Sequence, residues 1–124
     1  MYFKLREKGT GNIVFDKGTF VEIDGASELM PAGSVQITVL DRWTSPDSSA
    51  TYPVKWRIVA PERQLDVEIT PRITDQEMDL SQRYWEGAVT FNGTMAGEPV
   101  AGVGYVELTG YGAENDSSQI NAVR

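Results

Sequence analysis

Apolar side chains in this 124-residue chain recur at every second position almost throughout, and hardly anywhere at the 3.6-residue spacing of a helix. That pattern commits the chain to strands with one buried and one solvated face. Residues 53–60 set Val54, Trp56 and Ile58 against Lys55 and Arg57, and residues 64–70 set Leu65, Val67 and Ile69 against Asp66 and Glu68. Pro61 and Pro71 punctuate these two runs. Residues 34–43 carry Val35, Ile37 and Val39 on one face. Residues 2–7 alternate weakly, and residues 18–24 end in Asp24-Gly25, a hairpin turn pair. Ser45 to Ala50 reads as a polar loop, and residues 72–81 as a loop with at most one helical turn. The strongest hairpin signal is 82–92 against 98–111 across Gly93 to Gly97. Seven or so short strands at such spacing predict an all-β barrel or sandwich. Gly87, Gly102 and Gly104, inside strand patterns, mark bends, bulges or close backbone approaches.

The length predicts one domain over residues 1–112, followed by a polar tail over 113–124 that frays or docks on a partner. The sequence has no cysteine and no histidine, which removes disulfides, thiolate metal sites and His-based nucleophile systems. Its formal charge of −7 disfavours a phosphate backbone, so nucleic acid is not an expected partner. No apolar run approaches the ~20 residues of a membrane span. Lys4, Arg6, Glu7 and Lys8 are followed by no apolar stretch, so no signal peptide is expected in this sequence; the compartment stays open. Asp75, Glu77 and Asp79 alternate but lack the glycine and spacing of a calcium loop, and no metal or cofactor is expected.

Two segments stand out: Tyr84-Trp85-Glu86-Gly87-Ala88-Val89 and Gly104-Tyr105-Val106-Glu107-Leu108-Thr109-Gly110-Tyr111. Each holds one carboxylate among aromatic and apolar residues, where an unpaired charge is costly. Centring the hairpin on the 93–97 loop sets Trp85 near Tyr105 and Val89 near Ala101. One of Glu86 and Glu107 then points inward, and a one-residue slip decides which. An inward glutamate in an apolar pocket would be a proton donor or a hydrogen-bonding anchor. The bland alternative is a carboxylate satisfied by Arg57, Arg83, a tyrosine hydroxyl or backbone amides. Trp56, Tyr84, Trp85, Tyr105 and Tyr111, with Arg57, are the candidate ligand-binding residues. Core packing is the competing reading for most of the aromatics.

Four words in order, Tyr52-Pro53-Val54-Lys55-Trp56-Arg57, Asp75-Gln76-Glu77 and the two segments above, together resemble the carboxy-terminal half of the AttH-like proteins. Trp43-Thr44-Ser45-Pro46 fits too, and the resemblance covers about residues 1–112. The family is related to the carotenoid 1,2-hydratases (hydroxyneurosporene synthases) and to kievitone hydratase. It implies a lipocalin-like, calycin-type antiparallel β-barrel, two of which occur in tandem, with lipids, isoprenoids or polyenes as ligands. Against that pattern the amino-terminal barrel and the opening strand of the second are missing here. The expectation is therefore a barrel left incomplete or closed by a homodimer or a partner barrel. Three functions follow: binding of a hydrophobic small molecule, a hydratase-, isomerase- or cyclase-like enzyme using Glu86 or Glu107 as acid, or a structural association fragment.

Overall fold

The computed structural model describes residues 1–111, and the tail expected over 113–124 lies outside them. Nine strands follow one another: β1 Tyr2–Arg6, β2 Ile13–Val21, β3 Ser27–Met30, β4 Gln36–Thr44, β5 Thr51–Ala60, β6 Leu65–Pro71, β7 Glu77–Asp79, β8 Arg83–Met95 and β9 Glu98–Thr109. A single 3-10 turn, Pro61–Arg63, joins β5 to β6, and Gln64 closes it in the left-handed region at φ 49°. Every strand pair is antiparallel. β1, β2 and β3 form a small sheet. The larger sheet runs β4-β5-β6-β8-β9, with β7 taking the place of β6 along the first residues of β8. The all-β class is as expected, and the sheets do not close into a complete barrel. β7 is a strand that the sequence reading left as loop, and β3 lies in a stretch which that reading assigned to no element. Both are short, and Asp75, Glu77 and Asp79 give β7 the polarity of a loop.

Alternation explains which face is buried. Tyr52, Val54 and Trp56 of β5 point to one side, where they meet Trp85 and Val89 of β8, while Arg57 faces solvent. Trp43, Ile58, Ile69, Val106 and Leu108 pack around this cluster. Trp56 and Trp85 meet edge to face at 6.2 Å between centroids, and Trp43 stacks on Tyr52 at the same spacing. Tyr52 and Trp85 are fully buried. Burial of a side chain this large is worth about 3 kcal/mol, so these two carry a large share of the core energy.

The β8–β9 register corrects the sequence reading. The strands run through Met95 and resume at Glu98, leaving only Ala96 and Gly97 as the turn. Both have positive φ, 52° and 83°, the signature of a two-residue hairpin turn that matches strand twist. Trp85 therefore lies opposite Leu108 and Val89 opposite Gly104, three residues from the expected partners. An odd shift exchanges the faces of β9 relative to β8.

Polar groups help to hold the small sheet in place. Arg63 pairs with Glu22 at 2.6 Å and with Glu28, and its guanidinium lies over the Phe20 ring at 4.2 Å. Asp16 of β2 is buried and accepts the Gly33 amide at 3.0 Å, with Lys4 at 3.6 Å and the Tyr2 hydroxyl beside it. Burial pushes the Asp16 carboxyl up, but Tyr2, Gly33 and Lys4 reverse that and leave it below its ordinary value.

Candidate functional site

The aromatic face of the large sheet is closed at one end by two loops that share one carboxylate. Glu77, opposite Trp85 in the β7–β8 register, has a side chain only 7 % exposed. It accepts hydrogen bonds from the hydroxyls of Ser45, Ser48 (2.5 Å) and Tyr52 (2.8 Å), and Arg83 Nε stands 3.7 Å away. Ser45 Oγ in turn accepts the amides of Asp47 and Ser48, so the polar 45–50 turn is built around this contact. Burial alone would raise the Glu77 carboxyl. The three hydroxyls and the Arg83 charge outweigh it and hold the group below its ordinary value, ionised at neutral pH. Burial and the Glu77 carboxylate raise the Tyr52 hydroxyl well above its ordinary value. An ionised, saturated carboxylate is a fastening, not a proton donor.

The segment between β6 and β7 crosses β8 with more residues than β8 offers opposite it. Pro71 pairs with Val89 and Glu77 with Trp85, so residues 72–76 face residues 86–88. Residues 72–75 of this excess stay exposed, and two groups reach in from it. Thr74 carbonyl accepts the Trp85 indole N–H at 2.9 Å, which satisfies a buried donor. Gln76 lays its carboxamide over Gly87, where a Cβ would fall 1.9 Å from Oε1. A Cβ at residue 87 would displace the carboxamide from this position, so glycine is what lets it lie flat on the strand. Gln76 Nε2 donates to Ala88 carbonyl at 3.4 Å. A polar amide thus sits on the aromatic face between Trp85 and Val89.

The predicted site residues divide between the two faces. Trp56 and Trp85 lie on the aromatic face, and Tyr111 leans on Tyr52 at 5.7 Å. Tyr84, Glu86, Tyr105 and Glu107 lie on the opposite, outer face, with Glu86 directly across from Glu107. The expectation that one glutamate points inward is thereby corrected: the tight Ala96-Gly97 turn sets a register in which neither does. Tyr105 is 65 % exposed, and its hydroxyl is raised by partial desolvation and by Glu86 beside it. Arg57 is also on the outer face, where Asp66 takes it in a two-pronged ion pair at 2.8 and 2.5 Å. Sequence reasoning did not single out Gln76 or Glu77 as site residues. The signal for them was the Asp75-Gln76-Glu77 word and the glycine opposite it. Among the described residues no cluster of acidic side chains is arranged to hold a metal, and no helix is long and apolar enough to cross a membrane.

The AttH-like family model matches residues 1–111. The chain belongs to the AttH-like family. A crystal structure of an AttH-type protein from Nitrosomonas europaea superposes with a TM-score of 0.77 at 35% identity, covering 90% of this chain and 34% of that one. Kievitone hydratase from Nectria haematococca superposes with a TM-score of 0.69 at 20% identity, covering 87% of this chain and 33% of that one. The second likeness speaks for the fold alone. Both place this AttH-like chain in a lipocalin-like architecture, and it spans about a third of the length of either structure. No curated protein matches the sequence.

Proposed function

We propose that this chain is a lipocalin-like module that binds a hydrophobic small molecule, of lipid, isoprenoid or polyene type, along the aromatic face of its large sheet. The observation that carries the reading is an apolar wall continuing outward from the core. Ile37 and Val39 of β4, register partners of Ile58 and Trp56, share the inner face and each stays 37 % exposed. An apolar surface with few convergent polar groups is the usual form of a small-molecule site. Trp56 and Trp43 flank the wall, and Glu77 fastens the loops at its end. β4 and β9 are open edges of the large sheet, and open edges invite pairing. In this reading a second copy, or a partner barrel, completes the enclosure there.

The family and its hydratase neighbour favour a second reading, an enzyme that protonates or hydrates a double bond. It requires an acid facing the ligand. Glu77 reaches the aromatic face but is held ionised, and Glu86 and Glu107 reach a ligand only if another chain covers the outer face. Binding is therefore the better supported of the two.

Native mass spectrometry of the purified protein, then organic extraction and titration of tryptophan fluorescence with all-trans-retinol, tests the proposal. A species carrying an extractable apolar molecule, or saturable quenching that Trp56→Phe weakens, supports it. An empty protein whose fluorescence retinol does not change sinks it.

A further inference from the structure

Two exposed sheet faces of this chain carry apolar side chains around charges of opposite sign. In the small sheet the covered face holds Asp16 and Gly18 of β2, with Lys4 and Tyr2 opposite them. The open face holds the alternate residues: Phe3 opposite Lys17, Leu5 opposite Phe15, and Leu29 opposite Thr19. Phe15 is 42 % and Leu29 64 % exposed. A face that met only water would carry the polar set instead. The second face is the outer side of β8 and β9. There Tyr105, 65 % exposed, lies opposite Ala88, and Val103, 70 % exposed, lies opposite Thr90. Clustered exposed apolar side chains mark sites of association.

Charge indicates what these faces meet. Lys17 stands among the apolar residues of the first face and, among the described residues, forms no ion pair. Glu86 and Glu107 stand directly opposite each other on the second face, and among the described residues they form none either. Opposed like charges cost stability. Residues 84–111 carry no lysine or arginine, so the two strands hold no cation of their own to offset them. We infer that a second copy of this chain docks its small-sheet face on the outer face of β8 and β9, with Lys17 of one copy between Glu86 and Glu107 of the other. The two faces differ, so the contact is heterologous and either closes into a ring or extends copy by copy. It uses faces rather than the open edges of β4 and β9, and it leaves the inner, aromatic face free for a ligand.

Sedimentation velocity of the full chain over a concentration series tests this. The wild type should associate reversibly. Lys17→Glu sets a third carboxylate beside Glu86 and Glu107 and should weaken association at least about tenfold. Glu86→Lys combined with Glu107→Lys should weaken it likewise. Mixed together, the two variants should associate again, because one keeps an intact β8–β9 face and the other an intact small-sheet face. Arg42→Glu changes the net charge as much as Lys17→Glu does, but on β4, at the far edge of the sheet from β9, and should leave association unchanged. A wild type that stays monomeric throughout overturns the inference. So does association that Lys17→Glu leaves at full strength, the result that pairing of open edges would give, and so does a mixture of the two variants that stays monomeric.

Discussion

Removing the Glu77 carboxylate should cost this domain much of its stability. In Glu77→Ala the hydroxyls of Ser45 and Tyr52, in residues 2 % and 0 % exposed, lose their acceptor, and Ser48 loses its own. Each hydrogen bond to a charged group is worth about 1.5–3 kcal/mol, but three bonds to one carboxylate do not add. Breaking a buried charged contact by deleting one partner costs about 3–5 kcal/mol as a whole, and that is the expected loss. Urea unfolding followed by tryptophan fluorescence reads it directly. With a slope of about 1.5 kcal/mol per molar, the midpoint should fall by roughly 2–3 M. Glu68→Ala, at a side chain 48 % exposed, is the control and should move the midpoint little. The direction with pH follows from the lowered folded-state value of Glu77. Its stabilisation is fully present above the unfolded carboxylate value of about 4.3 and is lost as pH falls through the folded one. The gap between wild type and Glu77→Gln should therefore close on acidification and stay constant above about pH 6. A Glu77→Ala midpoint no lower than that of the Glu68 control would refute the account of Glu77 as the fastening of the two loops.

Glu86 and Glu107 face one another across β8 and β9 as like charges. Glu107→Gln should leave stability unchanged or raise it by a few tenths of a kcal/mol in thermal unfolding, since directly opposed like charges destabilise a pair. Gly97→Ala puts a side chain at φ 83° in the hairpin turn and should cost about 1 kcal/mol, read by urea titration. Arg63→Ala removes two ion pairs and the stacking on Phe20, and should cost about 1–2 kcal/mol. In native-state hydrogen exchange its loss of protection should be confined to β1, β2 and β3. Uniform loss over β5 and β8 as well would mean the two sheets unfold as one.

The strands β5, β6, β8 and β9 and the pairing of the last two were legible because these runs alternate cleanly and their turns hold proline or glycine. The face of each glutamate was not. That depended on whether the chain turns over five residues or two, and Gly93-Thr94-Met95-Ala96-Gly97 permits both until twist favours Ala96-Gly97 alone. Arg57 and Trp56 showed their opposite faces in the alternation of β5, yet the destination of Arg57 depended on where Asp66 would fall in the β5–β6 register. Glu77 was hidden for a different reason. Its neighbours Asp75 and Asp79 are exposed, so the stretch has the composition of a solvated loop. Its partners Ser45, Ser48 and Tyr52 lie 25 to 32 residues earlier, where no local pattern links them. Gln76 is legible only together with Gly87, because the glycine makes sense once something must lie over it.

The Arg63 clamp makes the attachment of the small sheet a matter of ionic strength. Attraction between partly exposed charges fades as the Debye length shrinks from about 10 Å at 0.1 M salt to about 3 Å at 1 M, whereas burial of Tyr52 and Trp85 does not. The two sheets of this chain thus answer to different solvents. Brine loosens the hold on β2 and β3 while the aromatic sheet stays packed, and the angle at which the small sheet is carried becomes a property of the buffer as much as of the sequence.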